Sequence, residues 1–113
     1  MRRLLPVVLL AALAATLLVA GPAISKRRNV EVDDNYFVKR GAPPTVRVNR
    51  NDTVVWEWEG SNPHNVTVTS GPARFRSRTQ SSGAYAKKVT RRGRYRILCT
   101  IHAPSMRMTL RVR

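Results

Sequence analysis

From residue 45 onward, apolar and polar residues alternate in short runs. Val46 and Val48 share one face of segment 45–49. In segment 53–58, Val54, Trp56 and Trp58 face one way, Val55 and Glu57 the other. Val66 and Val68 share a face in segment 64–69, as do Tyr95, Ile97 and Cys99 in segment 94–99. Met108, Leu110 and Val112 do so at the end of the chain. A period of two is that of a half-buried strand, because successive side chains leave a strand on opposite faces. The runs are separated by turn-forming residues: Gly41-Ala-Pro-Pro44, Arg50-Asn-Asp52 and Gly60-Ser-Asn-Pro63. Residues 30–32 and 33–37 add shorter candidates, with Tyr36 and Phe37 as core or edge contributors, and 85–89 reads as a weaker strand. No useful helical periodicity follows residue 25. Many short strands punctuated by turns predict an all-β fold, a Greek-key sandwich or barrel. Segment 71–83, rich in Ser, Arg and Gly, admits a loop, a short helix or an irregular strand.

The N-terminus follows a different pattern. Met1-Arg2-Arg3 is basic, residues 4–20 are apolar except Thr16, and small residues follow in Ala20-Gly-Pro-Ala-Ile-Ser25. That order is expected of a secretory signal peptide, cut after Ala23 or Ser25. The alternative is an uncleaved membrane anchor, for which the apolar run is only just long enough. Either reading exports the remainder to a periplasmic or extracellular compartment. The expected organisation is therefore a signal segment, 1–25, and one domain, 26–113. Lys26-Arg27-Arg28 reads as a flexible basic lead-in to the domain.

Charge changes the picture less than its size suggests. Without Arg2 and Arg3 the net charge is +13, two below the +15 of the whole chain. Nucleic acid is not the expected partner, because the domain is exported and no helix or aromatic platform organises the basic residues. Arg94, Arg96, Arg107, Arg111 and Arg113 instead occupy strand positions between apolar ones. They form either a solvated face or a surface that attracts acidic partners and anionic membrane surfaces.

One cysteine cannot form an internal disulfide, so a lone thiol in an exported domain calls for another use. Metal ligation is one, because it holds the sulfur as thiolate. Cys99 opens the run Cys99-Thr-Ile-His102-Ala-Pro-Ser-Met106. The other histidine, His64, follows Ser61-Asn-Pro63. Taken singly, Cys99 reads as a small buried hydrophobe, each histidine as a surface or capping residue, and Met106 as core. Together, one thiolate, two imidazoles and a thioether are the donor set of a blue-copper electron-transfer site.

These motifs resemble those of the cupredoxins, in particular the plastocyanin, pseudoazurin and amicyanin group of small blue-copper proteins. The resemblance covers nearly all of residues 30–113. It is carried by Asn51-Asp-Thr-Val-Val-Trp56, Asn62-Pro-His-Asn-Val66, Gly93-Arg-Tyr-Arg-Ile-Leu-Cys99 and Met106-Arg-Met-Thr-Leu-Arg-Val112. It implies one copper ion held by His64, Cys99, His102 and Met106. It also implies that Asn65 braces the ligand loop, meets Thr100 and helps hydrogen-bond the cysteine sulfur. His102 becomes the exposed electron port, rimmed by Pro63, Ala103 and Pro104. The chain departs from the pattern in one place. Three residues separate His102 from Met106, where plastocyanins and pseudoazurins have four and amicyanins two. Met108 is the fallback axial donor, although strand alternation assigns it to the core.

The expected protein is thus a monomeric, non-enzymatic carrier of single electrons between redox partner proteins. Related copper enzymes use further histidines for a second copper centre, and none remain here. Two rivals share part of the reading. A copper carrier or scavenger would use the same donors but favours Met-rich or His-rich open sites. A metal-free interaction module would not need the donors at all.

Overall fold

The computed structural model describes residues 2–4 and 24–113; the expected signal segment lies almost wholly outside the described residues. Eight strands follow: β1 (Arg27–Asp33), β2 (Tyr36–Phe37), β3 (Thr45–Val48), β4 (Thr53–Trp58), β5 (Thr67–Ser70), β6 (Ala84–Lys88), β7 (Gly93–Leu98) and β8 (Arg107–Val112). A single 3-10 turn, Thr100–His102, is the only helical element among the described residues. The strands form two four-stranded sheets, β2-β1-β4-β6 and β3-β8-β7-β5. The predicted Greek-key sandwich is the fold found. β1 runs parallel to β4 and β3 parallel to β8, and the other pairs are antiparallel.

The alternation predicts which side chains fill the space between the sheets. Val30, Val32, Val54, Trp56 and Trp58 from one sheet meet Val46, Val48, Val68, Tyr95, Ile97, Met108, Leu110 and Val112 from the other. Such burial contributes roughly 1.5–3 kcal/mol for each large apolar side chain. It also sets register, because a slip by one residue would turn every one of these side chains outward. Phe37 closes the core from edge strand β2.

One expectation is corrected. Arg27 and Arg28 are not a flexible lead-in but the start of β1, paired with Thr53 and Val54. The Lys26 N–H donates to Asp52 Oδ1 at 2.8 Å, and the Thr53 N–H donates to the Lys26 carbonyl at 2.9 Å. A ladder with a central strand outweighs local composition there. Of the alternatives open for segment 71–83, irregular extended chain is the one found: Arg76 makes an isolated bridge to Thr67 of β5, and Gln80 makes one to His64, ahead of that strand.

Candidate metal centre

The end of β7 and the loop before β8 are tied into one hydrogen-bonded ring. Cys99 is the residue before the 3-10 turn. Its N–H donates to the Met106 carbonyl at 3.0 Å. The His102 N–H donates to the Cys99 carbonyl at 3.2 Å, and the Met106 N–H to the His102 carbonyl at 3.1 Å. The Ser105 hydroxyl donates to the same His102 carbonyl at 3.0 Å. The C-x-x-H-x-x-x-M spacing therefore folds into a short return. Cys99 and Met106 are fully buried there, and His102 is half-buried.

His64 arrives from the other side of the loop. Its backbone is fixed by reciprocal bonds with Gln80, each at 3.0 Å, and the residue is buried. Its Nδ1 lies 3.2 Å from His102 Nδ1 and 4.0 Å from Cys99 Sγ, and His102 Nδ1 lies 3.5 Å from Cys99 Sγ. Among the described residues, these are the His, Cys and acidic side chains that converge as a group of three or more.

The triangle has the size of a metal site. A point equidistant from its three corners lies about 2.1 Å from each, within the roughly 2.0–2.3 Å spanned by imidazole and thiolate bonds to zinc, a comparable first-row ion. Neutral imidazole nitrogen and thiolate are borderline-to-soft donors, the set that copper favours. The donors present fit a copper ion.

Asn65 ties the segment carrying His64 to the segment carrying Cys99 and His102, through the contact with Thr100 that the resemblance implied. Its Nδ2 donates to Thr100 Oγ1 at 2.7 Å and to Thr79 Oγ1 at 3.1 Å. Its Oδ1 accepts from the Thr100 N–H at 3.1 Å and from the Thr67 hydroxyl at 2.8 Å. The implied hydrogen bond from Asn65 to the cysteine sulfur is not found. Among the described residues, the polar neighbours of Sγ are the two imidazole Nδ1 atoms. Met108 stays in the core, its sulfur 3.5 Å from Trp56 Nε1.

Two features escaped the sequence reading. The first is Asp34, whose Oδ1 lies 3.0 Å from His64 Nε2. Backbone N–H groups of Asn62 and Ser61, and then the His64 ring, hold its carboxyl down to about 2. Nothing local marks it, because it belongs to the turn between β1 and β2. The second is Ile101, 50% exposed beside His102. With the exposed Pro63, Ala103 and Pro104 it adds to an apolar surface on the loops that carry His64 and His102.

The outer face of the second sheet is basic. Strand pairing sets Arg47 opposite Arg111 and Arg111 opposite Arg94, one row across β3, β8 and β7. Arg94, Arg96 and Arg107 line an open cleft of about 370 Å³ that reaches Pro104, in the loop after His102. None of these arginines has a carboxylate partner among the described residues.

A sequence-family model for copper-binding proteins of the plastocyanin/azurin family matches residues 28–113. Comparison with curated protein sequences gives no match. Among solved structures, the Cu(I) form of an amicyanin variant is 26% identical, with a TM-score of 0.65 over 81% of this chain and 87% of that one. A reduced amicyanin variant is 28% identical, with a TM-score of 0.63 over 85% of this chain and 87% of that one. A copper-containing nitrite reductase from Thermus scotoductus SA-01, 21% identical with a TM-score of 0.64, matches over 77% of this chain but 22% of its own, and is similar in fold alone.

Proposed function

The chain belongs to the plastocyanin/azurin family of copper-binding proteins, and from that membership we propose that it is an exported, non-enzymatic carrier of single electrons. The observation that carries the reading is the triangle of His64 Nδ1, His102 Nδ1 and Cys99 Sγ. These three side chains would hold the copper, and the buried thioether of Met106 would supply a fourth, weaker donor. Bound there, copper supplies a one-electron Cu(I)/Cu(II) couple.

The chain's own part is to keep the donors still. The hydrogen-bonded return from Cys99 to Met106 and the Asn65–Thr100 brace hold one donor arrangement for both oxidation states. Burial of Cys99, His64 and Met106 excludes water and suits retention of the ion over rapid exchange, which favours an electron carrier over a copper carrier. His102, half-exposed among Ile101, Ala103 and Pro104, is the edge through which electrons enter and leave.

The partner is acidic. Arg94, Arg96 and Arg107 lie in the cleft that reaches Pro104, so an anionic surface drawn to them comes to rest near the His102 edge. The same face suits an anionic membrane surface.

The test is to add Cu(II) to the purified domain. One equivalent should bind, with intense thiolate-to-copper charge transfer in the visible spectrum and narrow copper hyperfine splitting in electron spin resonance. Cys99→Ser should abolish the colour. A colourless wild-type complex with an ordinary square-planar signal would overturn the reading.

A further inference from the structure

Asp34 makes more contacts than a turn residue needs. Its Oδ1 lies 3.0 Å from His64 Nε2 and accepts the Asn62 N–H at 2.9 Å. Its Oδ2 accepts the Ser61 N–H at 3.1 Å and the Ser61 hydroxyl at 3.3 Å. One carboxylate therefore holds Ser61, Asn62 and the His64 ring together. Its side chain is 31% exposed, while that of His64 is 1% exposed, so the contact sits at the wall of the site. Gly60 leaves the space for it. A Cβ there would lie 2.6 Å from Asp34 Cγ and 2.9 Å from Asp34 N, and would collide with Oδ1.

A neutral imidazole carries one ring proton, and the partner of one nitrogen decides where it sits. An acceptor-only carboxylate at Nε2 draws the proton there. That leaves the Nδ1 lone pair facing Cys99 and His102. A carboxylate behind a ligating histidine also raises the basicity of the donor nitrogen.

We propose that Asp34 is a positioning residue for the metal centre: it fixes His64 in the Nε2–H tautomer, aims Nδ1 at the ion, and strengthens that nitrogen as a donor. The inference rests on the copper-ligand role given to His64 above. A stronger nitrogen donor favours Cu(II) over Cu(I), so Asp34 lowers the reduction potential.

The experiment begins without metal. Nitrogen-15 spectra of the apoprotein should show His64 protonated at Nε2, and Asp34→Asn, which keeps the shape but not the charge, should give a mixture of tautomers. Asp34→Asn should also weaken copper affinity, measured by competition with a chelator, roughly 10- to 100-fold. Its potential should rise, by about 59 mV for each tenfold preferential loss of Cu(II) binding. Gly60→Ala, which displaces the carboxylate but keeps it in the chain, should move all three readouts the same way. A role confined to clamping the loop would leave tautomer and potential unchanged in Asp34→Asn. That result, or wild-type His64 protonated at Nδ1, overturns the proposal. A wild-type protein that takes up no copper while His64 keeps its Nε2 proton overturns the copper reading instead.

Discussion

The indole N–H of Trp56 donates to the thioether sulfur of Met108, at 3.5 Å, in the buried space between the two sheets. Met108 is therefore core in its contacts as well as in its strand alternation. Met106, two residues earlier, is equally buried but belongs to the return that carries Cys99 and His102.

The two methionines should separate by voltammetry. With Met106 as the proposed weak donor, which Cu(II) uses more than Cu(I), Met106→Leu should raise the potential. Met106→Gln supplies a stronger oxygen donor and should lower it. Met108→Leu is nearly volume-conserving and should cost under about 1.5 kcal/mol, with the potential almost unmoved. A shift in Met108→Leu without one in Met106→Leu would mean that the three-residue spacing after His102 delivers the other sulfur.

Asn65→Ala should loosen the His64 segment and the Cys99–His102 segment at once. It removes the partners of the Thr100 N–H and of the Thr67 and Thr100 hydroxyls. These groups are only partly buried, so the loss should be that of ordinary hydrogen bonds, about 0.5–1.5 kcal/mol each. Urea denaturation of the apoprotein should show that loss, and copper affinity should fall with it. Unchanged stability would show that water replaces the brace.

The arginine row makes two opposed predictions. Like charges directly opposite across strands destabilise a sheet, and Arg111 has an arginine on each side. Arg111→Thr should therefore raise stability by roughly 0.2–1 kcal/mol. Association with an acidic redox partner should slow as salt rises, and slow further in a variant with Arg94, Arg96 and Arg107 changed to Glu. An association rate that is flat from low to high salt would leave these arginines as a merely solvated face.

Asp52 should shape the acid limb of stability. The Lys26 N–H, and then the Asn49 N–H, donate to its buried carboxylate and hold it below the ordinary 3.8. A carboxyl depressed in the folded state contributes stability above its unfolded value, and that contribution is lost as pH falls through the folded one. Thermal melts should therefore drop below about pH 4. Asp52→Asn should flatten that drop and cost about 1–3 kcal/mol at neutral pH. An acid limb identical in the variant would assign the loss to other carboxylates.

Alternation of apolar residues is a local property, so the strands at 45–48, 53–58, 93–98 and 107–112 and their inward faces were legible from the chain alone. The run from Cys99 to Met106 was visible as a cluster of donor types, but its hydrogen-bonded return appears only in the fold. Pairing between distant segments is not written in any local period. Arg27 and Arg28 carry no apolar alternation and became strand only because β4 offered them a parallel ladder. The arginine row exists only once β8 lies between β3 and β7. The Asp34–His64 bond joins residues 30 apart, and the Asn65–Thr100 brace residues 35 apart. The brace was expected from family resemblance, whereas Asp34 had no signal at all. Local pattern marks which residues can be strand or core and which side chains can be donors. Which of them meet follows from the topology, because apolar faces must be buried against each other and the loops at the sheet ends are then brought together whatever their separation in the chain.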